Sequence, residues 1–360
     1  MPEKQILNKG PAVIQWVSSK SGASPRRDYI PTRIRMGNGV ELPFIGLGTS
    51  SVENSNEATE YSIRTALDLG YTHIDVTPGT HKIVGDVLKE YMDSGKLTRQ
   101  DFFITTKLPC ISHSRANVAT ALNSQLKYLQ LDYVDLFLVQ SPCGITIRQT
   151  AQGRNKFEPT NYSLPETWKG MEDVYNLKLT RAIGISNFNI DQITTVYCNA
   201  NVVKPHNLQV EVHLHWPQKD LVVLCQSLNV SLTAYAPLGS PGLQQTIDQR
   251  GDTSPLDEPL VIYLAQKYKK SPAQILLKQL TQRNIVVIPR SVNAQHLREN
   301  LDSLNFTISD NDMEALANVR SRGRIYTYTS RYPYFLCLFN FFFNFRRNHP
   351  EYPFNENDDE

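Results

Sequence analysis

The sequence predicts an α/β protein built as a (β/α)₈ TIM barrel, with an N-terminal hairpin cap and a long C-terminal loop. Eight short apolar runs, most of them β-branched or aromatic, carry this prediction: 44–47, 72–75, 102–107, 133–139, 182–185, 208–210, 231–235 and 285–288. Stretches with helical periodicity lie between them, for example 58–69 and 118–129. Strands that alternate with helices indicate a parallel sheet, and eight strands close this kind of barrel.

The two ends of the chain extend beyond this pattern. Residues 1–32 are rich in Ser, Lys, Pro and Arg without periodicity, so we expect a poorly ordered extension, with the barrel domain spanning 33–360. The pair Asn38-Gly39 lies between two short runs and predicts the hairpin cap. A doubly wound sheet is the alternative fold, but it favours a glycine-rich turn after its first strand. Here that turn has only Gly46 and Gly48, with Val52 at the third position.

Cap residues mark the starts of several helices. Ser114 and Asn189 each precede a helical stretch, and Ser271-Pro272 has the residue types preferred at the N-cap and first helical positions. These signals place helices after the predicted strands and support the alternating pattern.

Composition excludes several classes of function. Of the 360 residues, 40% are hydrophobic and 20% charged, which suits a folded core. The net charge is +2 without a long basic block, so we expect no nucleic-acid partner. The five cysteines show no CxxC spacing, which argues against a disulfide framework or a metal site. No apolar run is long enough for a membrane span, and no secretory signal is recognisable. We expect a cytoplasmic monomer.

Two ionisable residues fall at the ends of neighbouring predicted strands. Asp75 ends the second strand and Lys107 the third, at the barrel face where active sites lie. A carboxylate and an ammonium there would pair in a half-buried setting. Taken alone, the pair has two interpretations of equal weight: a salt bridge that closes the barrel mouth, or part of a catalytic site.

Further motifs follow the strands in chain order: Gly70-Tyr71-Thr72-His73-Ile74-Asp75, Gly184-Ile185-Ser186-Asn187-Phe188, Gln209-Val210-Glu211, Tyr235-Ala236-Pro237-Leu238-Gly239, Ile288-Pro289-Arg290-Ser291-Val292 and His349-Pro350-Glu351-Tyr352-Pro353-Phe354. In this order and spacing they resemble the aldo-keto reductases of the aldose and aldehyde reductase type. The resemblance runs from about residue 32 to residue 354.

The resemblance implies NADP(H) as the cofactor. Ser186, Asn187 and Gln209 would hydrogen-bond the nicotinamide carboxamide, and Tyr235 would stack on the ring. Each of these residues also has an ordinary structural interpretation: Ser186 and Asn187 as residues that cap a helix, Gln209 as a buried amide, and Tyr235 as an aromatic side chain of the core. The other residues implied in cofactor binding are Gly48, Thr49, Asp75, Ala236, Leu238, Arg290, Ser291, Val292, His296, Glu299 and Asn300.

Within this set, three positions would hold the 2′-phosphate. Arg290 stands where the family has Lys, which keeps the charge and adds a planar fork suited to phosphate. Ser291 matches the family, whereas His296 replaces an Arg and weakens the site, since His is mostly neutral at pH 7. Asn300 would contact the adenine. We expect NADP to be favoured, with less discrimination against NAD.

The resemblance also implies an activity, NADPH-dependent reduction of aldehydes and ketones to alcohols, with a small-molecule carbonyl as substrate. In the family a Tyr donates the proton, Lys and Asp support it, and a His orients the carbonyl. Here Asp75 and Lys107 are present, but Gln140 occupies the His position. The loop after Asp75 is two residues shorter than in the family, so the Tyr position falls on Thr80 when counted forward and on Pro78 when counted back from Gly85. His81 is either a substitute acid or a loop histidine that faces solvent.

Two functional hypotheses follow, both consistent with this mixture of matches and departures. The first is an NADP-dependent reductase of the alcohol dehydrogenase or aldehyde reductase type, weak or altered in activity. The second is a catalytically impaired NADPH-binding pseudoenzyme that acts as a sensor or interaction protein. A structural protein without cofactor is a third, less favoured.

The pocket and the C-terminal loop depart from the family as well. Ser50, Pro109 and Ser141 replace tryptophans, which predicts a wider and less aromatic pocket. An aromatic insertion spans 332–346, where the family has its substrate loop. It has three interpretations: a lid that rebuilds the pocket wall, an exposed aggregation-prone or membrane-touching segment, or an insertion without function.

Overall fold

A computed structural model describes residues 32–50, 55–149, 153, 155–241, 254–326 and 349–354. Apart from Thr32, the predicted N-terminal extension lies outside the described residues, and so does the aromatic insertion 332–346. The described residues all belong to one unit that begins at Thr32.

Eight parallel strands form the barrel wall, and each corresponds to one of the eight predicted runs. In the order in which they pair, they are β3 (Gly46–Gly48), β4 (His73–Asp75), β5 (Phe103–Leu108), β6 (Val134–Val139), β9 (Thr180–Ser186), β10 (Asn207–Glu211), β11 (Ser231–Tyr235) and β12 (Ile285–Val287). A parallel bridge between Ile45 and Val287 joins the first strand to the last. The predicted (β/α)₈ architecture is therefore confirmed.

A hairpin precedes the barrel, as predicted. Strand β1 (Arg33–Arg35) pairs antiparallel with β2 (Glu41–Pro43). The amide of Gly39 donates to the carbonyl of Met36, and Gly39 has a φ of 84°. That left-handed conformation favours glycine, which explains the turn residue that the sequence supplies.

Ten described α-helices accompany the strands, and their amphipathic faces explain the periodic stretches of the sequence. They are α1 (Asn56–Asp68), α2 (His81–Asp93), α3 (Arg115–Leu129), α4 (Leu164–Asn176), α5 (Ile190–Asn199), α6 (Lys219–Ser227), α7 (Pro259–Tyr268), α8 (Pro272–Thr281), α9 (Ala294–Asp302) and α10 (Asp310–Ala317).

Local hydrogen bonds explain where several helices begin. Asn189 and Ser271 each form a capping box with a glutamine three residues later, at the starts of α5 and α8. Ser114 is the N-cap of α3, but its side chain makes no capping hydrogen bond. The predicted cap positions are therefore right, while their hydrogen bonding differs.

A second hairpin lies between β6 and α4, and the sequence did not predict it. Strand β7 (Ile145–Gln149) pairs antiparallel with β8 (Asn155–Pro159) over five residue pairs. Both strands are largely exposed and carry charged side chains such as Arg148 and Glu158, which form an ion pair. Without a buried face, these strands lack the apolar alternation by which strands are recognised.

The core lies between the barrel wall and its helices. Buried side chains of the strands, such as Ile74, Phe137 and Ile183, pack with helical residues such as Leu88 and Leu122. Burial of each such side chain stabilises the fold by about 1.5–3 kcal/mol. This continuous packing fixes the strands and hence the positions of their ends.

One close approach inside the wall requires glycine. A Cβ at Gly46 would lie 2.4 Å from Nδ1 of His73 on the neighbouring strand. The His73 ring is buried, and its Nε2 lies 2.9 Å from the hydroxyl of Thr105. Burial lowers the pKa of His73 to about 4, so this ring is neutral at pH 7.

None of the helices in the described ranges has the length and apolar character of a membrane span.

Candidate active site

The Asp75–Lys107 pair lies at the carboxyl ends of β4 and β5. Nζ of Lys107 lies 2.6 Å from Oδ1 of Asp75. Asp75 is 2% and Lys107 8% exposed, so the barrel shields both charges from solvent. Nε2 of Gln209 on β10 donates to the other carboxylate oxygen of Asp75 at 2.7 Å. Both oxygens of Asp75 are thus engaged, and the ion pair is held from two sides.

The ammonium of Lys107 retains hydrogen-bonding capacity. It carries three N–H donors, and among the described residues it makes one hydrogen bond, to Asp75. Its backbone carbonyl accepts from Nε2 of Gln125 on α3, which fixes the strand end. Two N–H donors of a largely buried ammonium therefore have no acceptor within the described part of the protein.

Thr80, at the family Tyr position, is buried in a cluster of hydroxyl groups. Its Oγ1 donates to the carbonyl of Thr77 at 2.9 Å and lies 2.9 Å from Oγ1 of Thr49. Thr49 in turn donates to the carbonyl of Asp75. A hydroxyl has one proton, so Thr80 has none left for a substrate.

His81 is the first residue of α2 and is half-buried, so the expectation of a solvent-facing loop histidine is wrong. Its Nε2 lies 2.9 Å from Oγ1 of Thr106, and that hydroxyl donates to Oε1 of Gln125. Because the single proton of Thr106 goes to Gln125, the contact requires that Nε2 of His81 carries the hydrogen. The ring therefore points to the layer between β5 and α3.

The protonation state of His81 follows from this location. Burial, together with the positive charge of Lys107, lowers the pKa of His81 to about 4. At pH 7 the imidazole is neutral, and its one N–H is committed to Thr106. The placement that the structure gives His81 is that of a structural hydrogen-bond donor.

The ends of β9 and β10 bring a second group of polar side chains together. Ser186 and Gln209 are paired in register, and the amide of Asn187 donates to the carbonyl of Gln209. Nδ2 of Asn187 donates to the backbone carbonyl of Gln140 at 2.9 Å and to the hydroxyl of Ser186 at 3.2 Å. Asn187 has a φ of 63°, a left-handed conformation that asparagine tolerates better than most residues.

Tyr235 joins this group from the end of β11. Its phenol donates to Oδ1 of Asn187 at 2.8 Å, and its ring meets Tyr326 edge to face, with 5.7 Å between centroids. Ala236 and Leu238 follow directly. Ala236 has a φ of 50°, and its carbonyl accepts from the amide of Gly239 in a tight turn. Leu238 is partly buried against the core.

The first strand contributes its end to the same region. Gly48 pairs in register with Asp75, and its amide donates to the carbonyl of Pro289. A Cβ at Gly48 would lie 2.9 Å from the carbonyl oxygen of Ile288. Glycine therefore permits the close contact between the first strand and the segment after the last.

The segment after β12 holds the remaining predicted residues. Ser291 accepts from the amide of Asn293, which is the N-cap of α9. Arg290 and Ser291 are half-buried, whereas Val292 and His296 are exposed. Glu299 accepts from Nε2 of Gln295. Asn300 is 2% exposed and lies beside the phenol of Tyr71, which donates to the carbonyl of Leu297 at 2.9 Å.

Glu211, at the end of β10, holds the chain that follows α10. Its two carboxylate oxygens accept from the amides of Ile325 and Tyr326, at 2.6 and 3.0 Å. Nε2 of His213 lies 3.0 Å from the same carboxylate. The carboxylate thus fixes the start of the C-terminal segment at the barrel.

A cavity of about 430 Å³ lies beside β10, outside the barrel wall. Val210 lines it, and alternation along β10 turns Val210 away from the side on which Gln209 reaches Asp75. Its lining includes Trp216, Phe354 and Arg324, whose guanidinium carbon lies 3.6 Å from the centre of the Phe354 ring. Neither Asp75 nor Lys107 is among its described lining residues.

The fold and the strand-end residues together define a class of protein. The chain belongs to the aldo/keto reductase family, whose sequence model matches residues 44–321. The resemblance carried by the strand-end motifs is thereby confirmed.

Particular relatives agree with this assignment. The chain is 38% identical to aldo-keto reductase family 1 member A1 of Bos taurus over 293 residues, covering 79% of this chain and 87% of the relative. It is 34% identical to aldo-keto reductase AKR2E4 of Bombyx mori over 302 residues, covering 81% and 93%.

Solved structures give the same result. The aldose reductase from Schistosoma japonicum matches with a TM-score of 0.74 and 31% identity, over 90% of this chain and 99% of that one. Bombyx mori AKR2E4, solved in complex with NADP, matches with a TM-score of 0.75 and 32% identity, over 89% and 98%.

Sequence reasoning missed three contacts that shape the site. They are the hydrogen bond from Gln209 to Asp75, the Thr49–Thr80 hydroxyl contact and the His81–Thr106–Gln125 chain. No sequence signal announces them, because each joins residues from different elements and depends on side-chain rotamers. Only the positions of their strands were predictable.

Proposed function

We propose that this protein is an NADPH-dependent reductase that converts aldehydes or ketones to alcohols, with altered acid chemistry. The observation that carries the proposal is the buried Asp75–Lys107 pair, which lies at the barrel face used for catalysis and whose ammonium has unused N–H donors among the described residues. NADPH, when bound, supplies a hydride to the carbonyl carbon. Lys107 supplies positive charge where the carbonyl oxygen becomes negative.

The polar side chains beside this pair fit a nicotinamide carboxamide. Such a group needs a donor for its carbonyl oxygen and an acceptor for its NH₂. Within the described residues, the Ser186 proton and Oε1 of Gln209 have no partner, so they supply one of each. Tyr235 offers an aromatic face, and stacking on such a face stabilises a bound ring by about 0.5–1.5 kcal/mol.

The segment after β12 fits the phosphate end of NADP. Arg290 brings a guanidinium, Ser291 a hydroxyl, and α9 begins three residues later with its amide groups at that end. His296 is exposed at the same helix start. Asn300 packs against Tyr71, so we propose that it shapes the adenine pocket through this contact.

The proposed activity is weak because the usual acid is absent. Thr80 has no available proton, and Gln140 brings an amide that does not titrate. Loss of one general acid costs about 10²–10⁴ in rate. We expect slow reduction of activated carbonyls. We also propose a cytosolic monomer, because the five cysteines show no CxxC spacing and Cys198 and Cys225 are free thiols, as a reducing compartment favours.

Two measurements on one sample of the full chain test the proposal. Quenching of protein fluorescence by NADPH reports binding, and oxidation of NADPH in the presence of 4-nitrobenzaldehyde reports turnover. We expect saturable quenching and slow aldehyde-dependent oxidation. Protein that binds NADPH but turns over neither this aldehyde nor an activated dicarbonyl would contradict the reductase proposal.

Two matched variants test whether Arg290 gives the protein its preference for NADPH over NADH. Arg290→Met removes the proposed phosphate contact and should weaken NADPH binding at least tenfold while leaving NADH binding nearly unchanged, since a charge-assisted hydrogen bond contributes about 1.5–3 kcal/mol. Arg298→Met alters an exposed arginine of the same region and serves as the control. Equal losses for NADPH and NADH would refute the role of Arg290.

The pseudoenzyme is the second candidate, and one observation favours it. The Thr80 hydroxyl before α2 and the His81 N–H at its first residue are both directed at protein acceptors, so neither replaces the missing acid. This candidate predicts NADPH binding without turnover. The paired measurement above therefore separates the two functions.

A further inference from the structure

We propose that Lys107 itself donates the proton to the substrate oxygen, in place of the absent tyrosine. This inference rests on the proposed reductase function. It assigns Lys107 a direct catalytic role, where the family resemblance implies only a supporting one.

The side chains after β4 have no proton to give. The hydroxyl of Thr80 donates to Thr77, at 2.9 Å. The N–H of His81 is directed at Thr106, and burial lowers the pKa of His81 to about 4, so no second proton is present at pH 7. These two residues at the family acid position are thereby excluded as acids.

The side chains on the opposite strand ends are no better suited. The phenol of Tyr235 donates to Oδ1 of Asn187 at 2.8 Å. Gln140 and Gln209 carry amides, which donate hydrogen bonds but do not release protons at neutral pH. In addition, one N–H of the Gln209 side chain donates to the carboxylate of Asp75.

Of the described side chains considered at these strand ends, Lys107 is the remaining candidate, and its geometry suits the task. Its ammonium lies at the carboxyl ends of the strands and uses one of three N–H donors on Asp75, within the described residues. The side chain is 9% exposed, which leaves limited access from the barrel mouth. A substrate oxygen that approaches the ammonium would meet a donor that is also an acid.

Reduction of the carbonyl moves one hydride and one proton to the substrate. The carbonyl carbon gains the hydride that NADPH supplies, and the π electron pair of the C=O bond moves to oxygen. That oxygen takes a proton from Nζ of Lys107, so the product is an alcohol and Lys107 is left as a neutral amine. A proton from solvent restores the ammonium, which Asp75 stabilises at 2.6 Å.

Two substitutions separate proton donation from mere positive charge. Lys107→Arg keeps the charge and the N–H donors, but a guanidinium does not lose its proton in proteins. Lys107→Met removes both. We expect kcat with 4-nitrobenzaldehyde to fall by about 10²–10⁴ in each variant, the range for a general acid. A Lys107→Arg protein that keeps at least a tenth of wild-type kcat overturns the proposal.

Equilibrium binding gives a readout that does not depend on turnover. The carboxylate of 4-nitrobenzoate places an anionic oxygen where the reduced substrate oxygen would lie. Measured by calorimetry, its affinity should fall about tenfold to a hundredfold in Lys107→Met and stay within about threefold of wild type in Lys107→Arg. NADPH quenching in both variants shows that they are folded. Unchanged affinity in Lys107→Met would also overturn the proposal, because the ammonium would then not face the substrate site.

Chemical rescue completes the test. In Lys107→Ala, added ethylamine should restore turnover in proportion to its concentration. Lys82→Ala removes an exposed lysine of α2 and is the matched control, with wild-type turnover and no response to amine. Absence of rescue in a protein that binds both NADPH and ethylamine counts against proton donation. Wild-type protein without turnover would refute the reductase function instead, and this proposal with it.

Discussion

The strand ends of the Asp75–Lys107 pair and the segment that follows β4 differ in how many of their hydrogen-bond donors are already used within the protein. At the strand end, Asp75 is satisfied on both oxygens, while the ammonium of Lys107 keeps two donors without acceptors among the described residues. Five and six residues later, the Thr80 hydroxyl and the His81 N–H are each directed at protein acceptors. The Asp75–Lys107 pair therefore keeps N–H donors for a ligand, whereas the donors of Thr80 and His81 are used in hydrogen bonds that stabilise the fold. The family position of a residue therefore does not determine its role.

Of the substitutions that test this comparison, removal of the Asp75 carboxylate should have the largest effect on stability and turnover. Asp75→Asn leaves the buried Lys107 ammonium without a counter-charge, and loss of one partner of a buried pair costs about 3–5 kcal/mol. Urea unfolding should show this loss of stability, and NADPH turnover should fall with it. Asp86→Asn, which breaks the exposed Lys82–Asp86 pair, is the control. A loss below 1 kcal/mol for Asp75→Asn would mean that the pair is not held as described.

Acid should destabilise the protein through its buried histidines. The pKa values of His73 and His81 are lowered to about 4, so the folded state binds fewer protons than the unfolded chain between about pH 6.5 and pH 4. Stability is therefore fully present above about pH 6.5 and is lost as the pH falls towards 4. Each histidine contributes up to about 3 kcal/mol to this loss.

His81→Gln tests the contribution of one histidine. The variant keeps a donor for Thr106 but does not titrate, so its free energy of unfolding should fall less between pH 7 and pH 4 than that of the wild type. Urea titrations at several pH values measure the slope. Identical slopes for the two proteins would show that His81 titrates normally in the folded state.

Thr80→Val should give a smaller effect, confined to stability. The substitution keeps the shape of the side chain and removes the hydroxyl that donates to Thr77, so we expect a loss of about 1–2 kcal/mol in urea unfolding. Thr65→Val, in a less buried part of α1, is a comparison outside this cluster. A neutral Thr80→Val substitution would indicate that the hydroxyl cluster does not stabilise the loop.

The smallest effect belongs to the exposed surface pair. Asp86→Asn removes a charge that meets Lys82 at 2.6 Å on an exposed helix face, and such pairs contribute about 0–1 kcal/mol. Thermal unfolding at low and high salt should show a shift of at most a few degrees that vanishes with salt. A large, salt-independent shift would place that pair in the same category as Asp75–Lys107.

The fold was predictable because burial leaves a periodic mark on the sequence. All eight barrel strands fall on apolar runs, and their ends differ from the predicted ones by only a few residues. The reason is that each strand is buried in the barrel wall, whereas each helix between two strands buries only one face. The hairpin β7–β8 was missed for the converse reason. It is largely exposed, so nothing in its sequence distinguishes it from a loop.

The candidate site was predictable only at the level of strand ends. Asp75, Lys107, Ser186 and Gln209 were placed on their strands by sequence, and the barrel brings those strands' ends to one face. The direction of each hydrogen bond was not predictable. Whether the His81 ring turns to Lys107 or to Thr106 depends on side-chain rotamers. Thr80 is a residue type common at N-caps and does stand at the start of α2, yet its side chain makes no capping hydrogen bond there.

The carboxylate of Glu211 has a mechanical consequence for this barrel. Its grip on the amides of Ile325 and Tyr326 acts as an anchor placed upstream of the C-terminal extension. Tyr326, held there, lies against the Tyr235 ring, and its phenol lies 2.6 Å from the hydroxyl of Ser240. Because Glu211 accepts from backbone amides, which every residue type except proline possesses, the anchor does not depend on the side chains at positions 325 and 326. Substitution of the Tyr326 side chain would therefore remove the ring contact with Tyr235 while leaving the backbone of this segment attached to the barrel.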